Sequence, residues 1–408
     1  MTNHEYVILR VDPNDPRADD LEVLGGPEIG TGPREVEEAR HDLDVAVETA
    51  VLSDKDIQHV RQERRVLGVA PSMPLKLISP VATAADGRAR TEASADKIAW
   101  GITAVGAADT PFTGAGVKVA ILDTGIDAEH PAFNGVRLTQ KDFTGEGDGD
   151  ENGHGTHCAG TVFGRDVNDT RIGVARGITD VLIGKVLTRR GMGSTANLAA
   201  GIHWAVTNNA NIISISIGLD FTEFVRKLVE ERGFAIAPAT SLALSAYREN
   251  IRMFDAISQM VRSAVGQFGN SIVIAAAGNE SERPRYTIDC APPAAAEGFI
   301  SVGALEKHRR GSLKVTSFSN TSPRVVAPGA RILSANLGGG LTLKDGTSMA
   351  TPHVAGVAAL WLESLRADNP QVSIRTLDAR LTGTASLSRI SDPSDRHDSG
   401  SGLVRAPN

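Results

Sequence analysis

The chain has 408 residues, 41% hydrophobic and 4% aromatic, with a formal net charge of −7 and two cysteines. That length fits one large core plus an appendage, or two domains, and an acidic balance without a long basic run argues against nucleic acid as a partner. No window approaches the roughly 18 unbroken apolar residues of a membrane span, and Cys158 and Cys290 are too few for a disulfide framework.

Met1–Asp20 carries acidic residues and prolines instead of an apolar core behind a basic flank. No secretory signal is expected, and the chain is read as cytoplasmic with reduced thiols. Residues 1–80 read as a small α+β module in the order strand, helix, helix, strand. Tyr6–Val11 is an apolar run closed by Asp12-Pro13. Val36, Ala39, Leu43, Val47 and Ala50 recur at helical spacing. Ser53 is placed to cap a second helix through Ile57 and Val60, with Asp54 and Asp56 in its first turn. Val66–Val69 and Leu75–Ile78 supply further strand. Residues 81–99 are a linker, small, polar and turn-rich through Val81–Ala95.

Residues 100–408 alternate apolar runs with helical patterns. Val117–Leu122, Val181–Leu187, Asn211–Ile217, Ser271–Ala277 and Ile300–Leu305 are rich in Val and Ile and suit central strands of a parallel sheet covered on both faces. Ala196–Val206 and Met349–Leu362 are helical segments between or after them. The fold class is therefore α/β, a doubly wound, mostly parallel sheet with flanking helices. Phe221–Phe268 breaks the rhythm with about two helices and reads as an insertion, packed on the outside or gating a site.

Asp123 directly follows its strand, at the carboxyl edge where ligands gather in open α/β sheets. His154 lies between Gly153 and Gly155 ahead of the helical run Thr156–Val162, so its ring is open to approach from both sides. His157, one turn on, is a structural residue, because a zinc site lacks a third ligand and the expected glutamate. Asp148-Gly-Asp-Glu-Asn-Gly153 matches half an EF-hand loop, but its closing position is Ala159, which rejects that motif and leaves an acidic loop open to weak cation binding. Ser348 opens the apolar segment that follows Gly346, and a serine is a poor nucleophile without a base to take its proton. The order Asp, His, Ser separates the chain from α/β-hydrolases and from chymotrypsin-like barrels. Asn279, after the run Ile274–Ala277 and Gly278, offers an amide donor for an oxyanion. No Gly-x-Gly-x-x-Gly follows the first strand of the sheet, which removes a dinucleotide-binding reading.

Asp123-Thr-Gly, His154-Gly-Thr-His and Gly346-Thr-Ser-Met-Ala-Thr-Pro together resemble the subtilisin-like serine protease family from about Trp100 onward. The resemblance implies that Asp123 orients His154, that His154 takes the Ser348 proton, and that Asn279 helps hold the oxyanion. It implies an extended polypeptide substrate added as a strand between Gly191-Met-Gly193 and Ser216-Ile217-Gly218. Ala277 and Gly278 would line the pocket for the side chain before the cut, with Glu280 near its rim. Cys158 matches a cysteine found in one branch of the family. No cofactor is required; calcium is left open as a ligand, but the family's strong calcium site is expected to be lost at Ala132, which stands in His130-Pro131-Ala132 where the pattern has an aspartate. The module 1–80 resembles the family's propeptides, so the segment around Leu77–Thr91 is expected to reach the cleft as an intramolecular inhibitor. The expectation is a serine endopeptidase made as a self-inhibited precursor; the alternative is a permanently capped peptide-binding or scaffolding protein.

Overall fold

A computed structural model describes residues 4–11, 45–81, 97–262, 271–391 and 396–408. The amino-terminal region is built on strand β1 (His4–Val11), whose Val7, Ile8, Leu9 and Val11 are buried. It pairs antiparallel with β2 (Val45–Leu52) on one side, while Ser53 caps α1 (Asp54–Val60) through a reciprocal bond with Asp56. On its other side β1 pairs antiparallel with β3 (Val66–Pro71), and β4 (Pro74–Leu77) leaves this sheet altogether.

One expectation is corrected here. Val47 and Ala50 belong to a strand, not to a helix. Positions 45, 47, 49 and 51 are Val, Val, Thr and Val, all β-branched, and their period of two with the β1 ladder outweighs the i, i+3/i+4 recurrence. Val36, Ala39 and Leu43 lie outside the described residues.

The larger region continues with α2 (Trp100–Ala104), β5 (Val119–Asp123), β6 (Arg137–Asp142), α3 (His154–Phe163), β7 (Asp180–Lys185), β8 (Met192–Ser194) and α4 (Thr195–Thr207). It then runs β9 (Ile212–Ile215), β10 (Ile217–Leu219), α5 (Phe221–Arg226), α6 (Ile236–Arg262), β11 (Ile272–Ala276) and β12 (Ile300–Lys307). The short strands β13 (Leu313–Val315), β14 (Val325–Pro328), β15 (Ile332–Ala335) and β16 (Leu341–Lys344) precede α7 (Thr347–Asp368) and α8 (Ile374–Gly383). The main sheet has the order β13-β12-β11-β9-β5-β7-β6, with β14 also on β12, and all its pairings except β12–β13 are parallel. The doubly wound α/β expectation holds.

Two helices position the chemistry. α3 is buried along its whole length and α7 from Thr347 to Leu360, and they share one core with the sheet through Val162, Phe163, Val354 and Val357. The opposite face forms a second core, in which Leu198, Ile202, Phe254 and Ile257 of α4 and α6 meet Val7, Leu9, Met73 and Leu75 of the amino-terminal region. Each such large side chain contributes about 1.5–3 kcal/mol when fully buried. The expected insertion Phe221–Phe268 forms α5, a π turn at Lys227–Glu231 and α6, with 263–268 outside the described residues. α6 lies against β3: Asn250 Nδ2 donates to the Pro71 carbonyl at 3.0 Å, and Arg61 pairs with Glu249 at 2.7 Å. Among the described residues no helix is long and apolar enough to cross a membrane.

Asp378 on α8 joins distant elements, accepting from Arg262 at the end of α6 at 2.8 Å and from Arg324 beside β14 at 2.9 Å. Asp378→Ala removes the acceptor shared by two guanidinium groups, of which Arg262 keeps its bond to the Gly298 carbonyl at 2.7 Å, and is expected to cost about 2–3 kcal/mol. That is below the loss for a fully buried pair, because Arg324 stays 37% exposed. A fall in the urea midpoint at unchanged slope would show it.

Candidate active site

Asp123 ends β5 in the middle of the sheet, flanked by β7 and β9, so its carboxylate emerges at the carboxyl edge. His154 is the first residue of α3, after Gly153 in the left-handed conformation with φ of 83°. The two side chains meet directly: His154 Nδ1 lies 2.8 and 3.0 Å from the Asp123 carboxylate oxygens. Both groups are essentially inaccessible to solvent. Close backbone approach makes this possible. A Cβ on Gly155 would stand 2.1 Å from the Gly125 carbonyl, and one on Gly125 would stand 2.0 Å from the Gly149 carbonyl.

Asp150 holds this corner together. One of its carboxylate oxygens accepts from the N–H groups of Asn152 and Gly153 and from the Thr124 hydroxyl; the other accepts from the N–H and hydroxyl of Thr156. Burial pushes its pKa up, but these bonds prevail and hold it below the ordinary carboxylate range. Its acceptor sites are thus occupied by the turn that starts α3, which is why the EF-hand likeness carries no chemistry. The residue was missed as functional; its place a few positions before a helix start was the available signal.

Ser348, second residue of α7, is buried beside this pair, and its carbonyl accepts from the Ser216 hydroxyl at 3.3 Å. Its hydroxyl does not bond to His154. Instead Ser348 Oγ donates to the Ile78 carbonyl at 3.0 Å, and His154 Nε2 is buried without a hydrogen-bond partner among the described residues. Asn279 follows β11, and its amide oxygen accepts from Thr347 N–H and hydroxyl at 2.9 Å each. This turns Nδ2 outward to the Ser79 carbonyl at 3.0 Å. Thr347, also unforeseen, sets that orientation.

The cleft rails are brought together around the chain's own β4. The order β10-β4-β8 is antiparallel, pairing Leu75 with Gly193 on one side and Lys76 with Gly218 and Leu77 with Ile217 on the other. The Leu77 N–H donates to Gly191 at 2.7 Å, Ile78 N–H to Ser216 at 3.4 Å and Val81 N–H to Asp345 at 2.9 Å. Leu77–Val81 therefore reaches the centre, while residues 82–91 lie outside the described residues. Ala277 is buried at the end of β11, and Gly278, with φ of 114°, donates its N–H to the Thr347 hydroxyl at 3.2 Å. Asn320 ties Glu280 to this turn, Nδ2 to Glu280 Oε2 at 2.8 Å. It has no sequence motif to announce it.

The remaining candidates are structural. His157 donates from Nε2 to the Ile332 carbonyl at 3.0 Å, and burial pushes its pKa well below the usual value. Ala132 is buried in the short turn Pro131–Phe133, its N–H donating to His130 Nδ1. Cys158 Sγ lies 3.7 Å from His154 Nδ1, and burial pushes its thiol well up, so it stays protonated. Asp123 and His154 satisfy each other, and none of these three residues is assigned as a metal ligand.

His353 supplies a pH dependence. It is fully buried on α7, bonded through Nδ1 to the Met349 carbonyl at 2.8 Å, and burial pushes its pKa down to about 4. Unfolded, it binds a proton near pH 6.5, so between these values the unfolded chain holds more protons. Its contribution is complete above about pH 6.5 and fades as pH falls toward 4, on the order of 3 kcal/mol in all. Asp150 and His157 act in the same direction. In a Ser348→Ala background, which prevents self-digestion, the urea midpoint is expected to fall between pH 7 and 4.5, and less so in His353→Gln.

The profile of the subtilase family matches residues 114–402. A protein described as an intracellular serine protease of Paenibacillus polymyxa is 36% identical over 255 residues, 60% of this chain and 67% of its own length. Alkaline serine exoprotease A of Vibrio alginolyticus is 30% identical over 358 residues, 84% of this chain and 56% of its own length. Subtilisin DY of Bacillus licheniformis is 34% identical over 278 residues, 67% of this chain and 85% of its own length. The match thus spans little more than half of the Vibrio relative.

Proposed function

This chain belongs to the subtilase family, a serine peptidase family, and on that premise we propose that it is a serine endopeptidase made in a self-inhibited form. Asp123 holds the His154 imidazole with its proton on Nδ1, leaving Nε2 free to accept the proton of Ser348. Ser348 Oγ attacks the substrate carbonyl carbon, the Nε2 proton passes to the departing amine, and an acyl-enzyme remains for water to hydrolyse. Asn279 Nδ2 and the Ser348 N–H hold the negative oxygen that develops. The polypeptide substrate lies as an extended strand between Gly191–Gly193 and Ser216–Gly218. The relative from Paenibacillus is described as intracellular, which supports action inside the cell.

The observation that carries self-inhibition is the register of Leu75–Ser79 in the cleft. Ser348 Oγ contacts the Ile78 carbonyl, whereas Asn279 contacts the next carbonyl, that of Ser79. Nucleophile and oxyanion donor thus address different residues, and the base is left without its proton donor. Pro80 follows, so a cut after Ser79 would need a proline nitrogen as leaving group. The strand occupies the substrate path without presenting one bond to all the groups at once.

The test is a time course on the full chain with a fluorophosphonate probe and mass spectrometry. Labelling at Ser348 is expected to be slow in the intact chain and to rise as the amino-terminal region is released. A chain that stays unlabelled after release, yet binds peptides, is the capped scaffold instead.

A further inference from the structure

One side of the domain gathers positive charge that the mechanism does not use. In a chain of net charge −7, residues 307–315 hold Lys307, His308, Arg309, Arg310 and Lys314 and no acid. This stretch leaves the sheet at the end of β12 and returns as β13. Between it and the residues leading into α2 lies a groove of about 640 Å³. Apolar groups line its inner part: Leu313 is buried, and Ile98 and Trp100 pack on the main core. Exposed cations line its mouth, with Lys97, Lys307 and Arg389 arriving from three separate parts of the chain, and no carboxylate among the lining residues.

Trp100 is a fixed wall of this groove. Its indole N–H donates to the Ala330 and Arg331 carbonyls at 3.2 and 3.3 Å, and the side chain packs against Cys158, Ile332 and Met349. With its polar atom engaged, the ring offers only apolar surface. Lys307 Nζ stands 5.6 Å from the centre of that ring. Among the described residues no ion pair neutralises Lys97, Lys307 or Arg389, and the Arg389 guanidinium makes one hydrogen bond, to the Gly311 carbonyl at 3.4 Å. Glu306, the acid next to this stretch, faces Lys314 across the β12–β13 ladder and does not line the groove. Like charges around one low-dielectric opening focus a positive field into it.

We propose that this groove binds a small organic anion with a flat apolar body, of the class of aromatic carboxylates. Its volume falls within the roughly 300–1000 Å³ of small-molecule sites and exceeds what one inorganic ion needs. The flat body covers Trp100, Ile98 and Leu313, removing their apolar surface from water, while the anionic group meets Lys307 and Arg389. Binding here is independent of the protease reading, so the two stand or fall separately.

The experiment uses the full chain carrying Ser348→Ala, which cannot digest itself, with nitrogen-labelled indoles. Three tryptophans, Trp100, Trp204 and Trp361, give three indole N–H signals in NMR, and loss of one in Trp100→Phe assigns it. Naphthoate is expected to move the Trp100 signal alone, saturating with a Kd on the order of 1 mM or tighter, the range for a ligand of this size. Lys307→Glu and Arg389→Glu are each expected to weaken it about tenfold or more, whereas Lys55→Glu on the distant α1 leaves it unchanged. If either groove variant does not fold, Lys97→Glu carries the same test. Naphthylmethanol, with the same body and no charge, and inorganic phosphate, with charge and no body, are expected to bind at least about tenfold more weakly. Equal binding of naphthylmethanol or of phosphate overturns the proposal, as does a Trp100 signal that naphthoate does not move. A short acidic peptide that moves this signal where naphthoate fails assigns the groove to a polypeptide and overturns it too.

Discussion

Ser348→Ala in the released enzyme is expected to lower kcat by about a millionfold, the size already known for loss of the corresponding serine in subtilisin. The argument is chemical before it is numerical. Ser348 opens a helix buried from its first turn, so no other hydroxyl stands where its Oγ stands. Thr347, its neighbour, is committed to Asn279, and Ser216 to the Ser348 carbonyl. Deleting one oxygen therefore removes the only route to an acyl-enzyme, and water must attack unaided by covalent chemistry. The variant should retain its oxyanion donors and cleft, leaving about 1000- to 10,000-fold over the reaction in water. Steady-state kinetics on an unstructured peptide measures the loss, with peptide affinity within a few-fold of the parent. Residual activity within a hundredfold of the parent would place the nucleophile elsewhere.

Asp123→Asn is expected to cost about ten-thousandfold in kcat with little change in stability or peptide affinity. The parent carboxylate accepts from Nδ1–H of His154 and from the Thr124 N–H, so it selects the tautomer whose Nε2 is a free acceptor. An amide in its place offers hydrogens of its own and turns the proton to Nε2, where it blocks transfer from Ser348. The imidazolium of the transition state also loses its buried counter-charge. NMR of the ring nitrogens distinguishes the wrong tautomer from simple misfolding. A loss below tenfold would mean that His154 works without its carboxylate.

Buried chemistry was the legible part of the sequence. Asp123 announced itself because a strand covered on both faces reads as an unbroken apolar run, and a lone acid at its end has nowhere to hide. His154 and Ser348 were visible through small neighbours, Gly153, Gly155 and Gly346, that allow backbone and side chains to crowd. What escaped depended on partners far away in the chain. Val45–Leu52 could be scored as a helix until β1 supplied a ladder. Asp150 resembled a cation ligand until Thr124 and Thr156 claimed its oxygens. Asn320 and Thr347 act through contacts with Glu280 and Asn279, and no spacing along the sequence records them. Nor could composition reveal that the carbonyls of Ile78 and Ser79 are divided between Ser348 and Asn279, since that depends on a one-residue offset in strand register.

The seating of β4 between β8 and β10 has a kinetic corollary. A ligand covalently attached to its own receptor competes at an effective concentration in the millimolar range, whatever the amount of enzyme in solution. For the self-inhibited protease proposed above, foreign peptides at micromolar levels therefore cannot win by abundance, and turnover before severing is expected to follow the rare moments when the strand lifts. After severing, the same fragment is expected to act as an ordinary bimolecular inhibitor that escapes on dilution. Specific activity should then depend on enzyme concentration for as long as the freed fragment survives uncut.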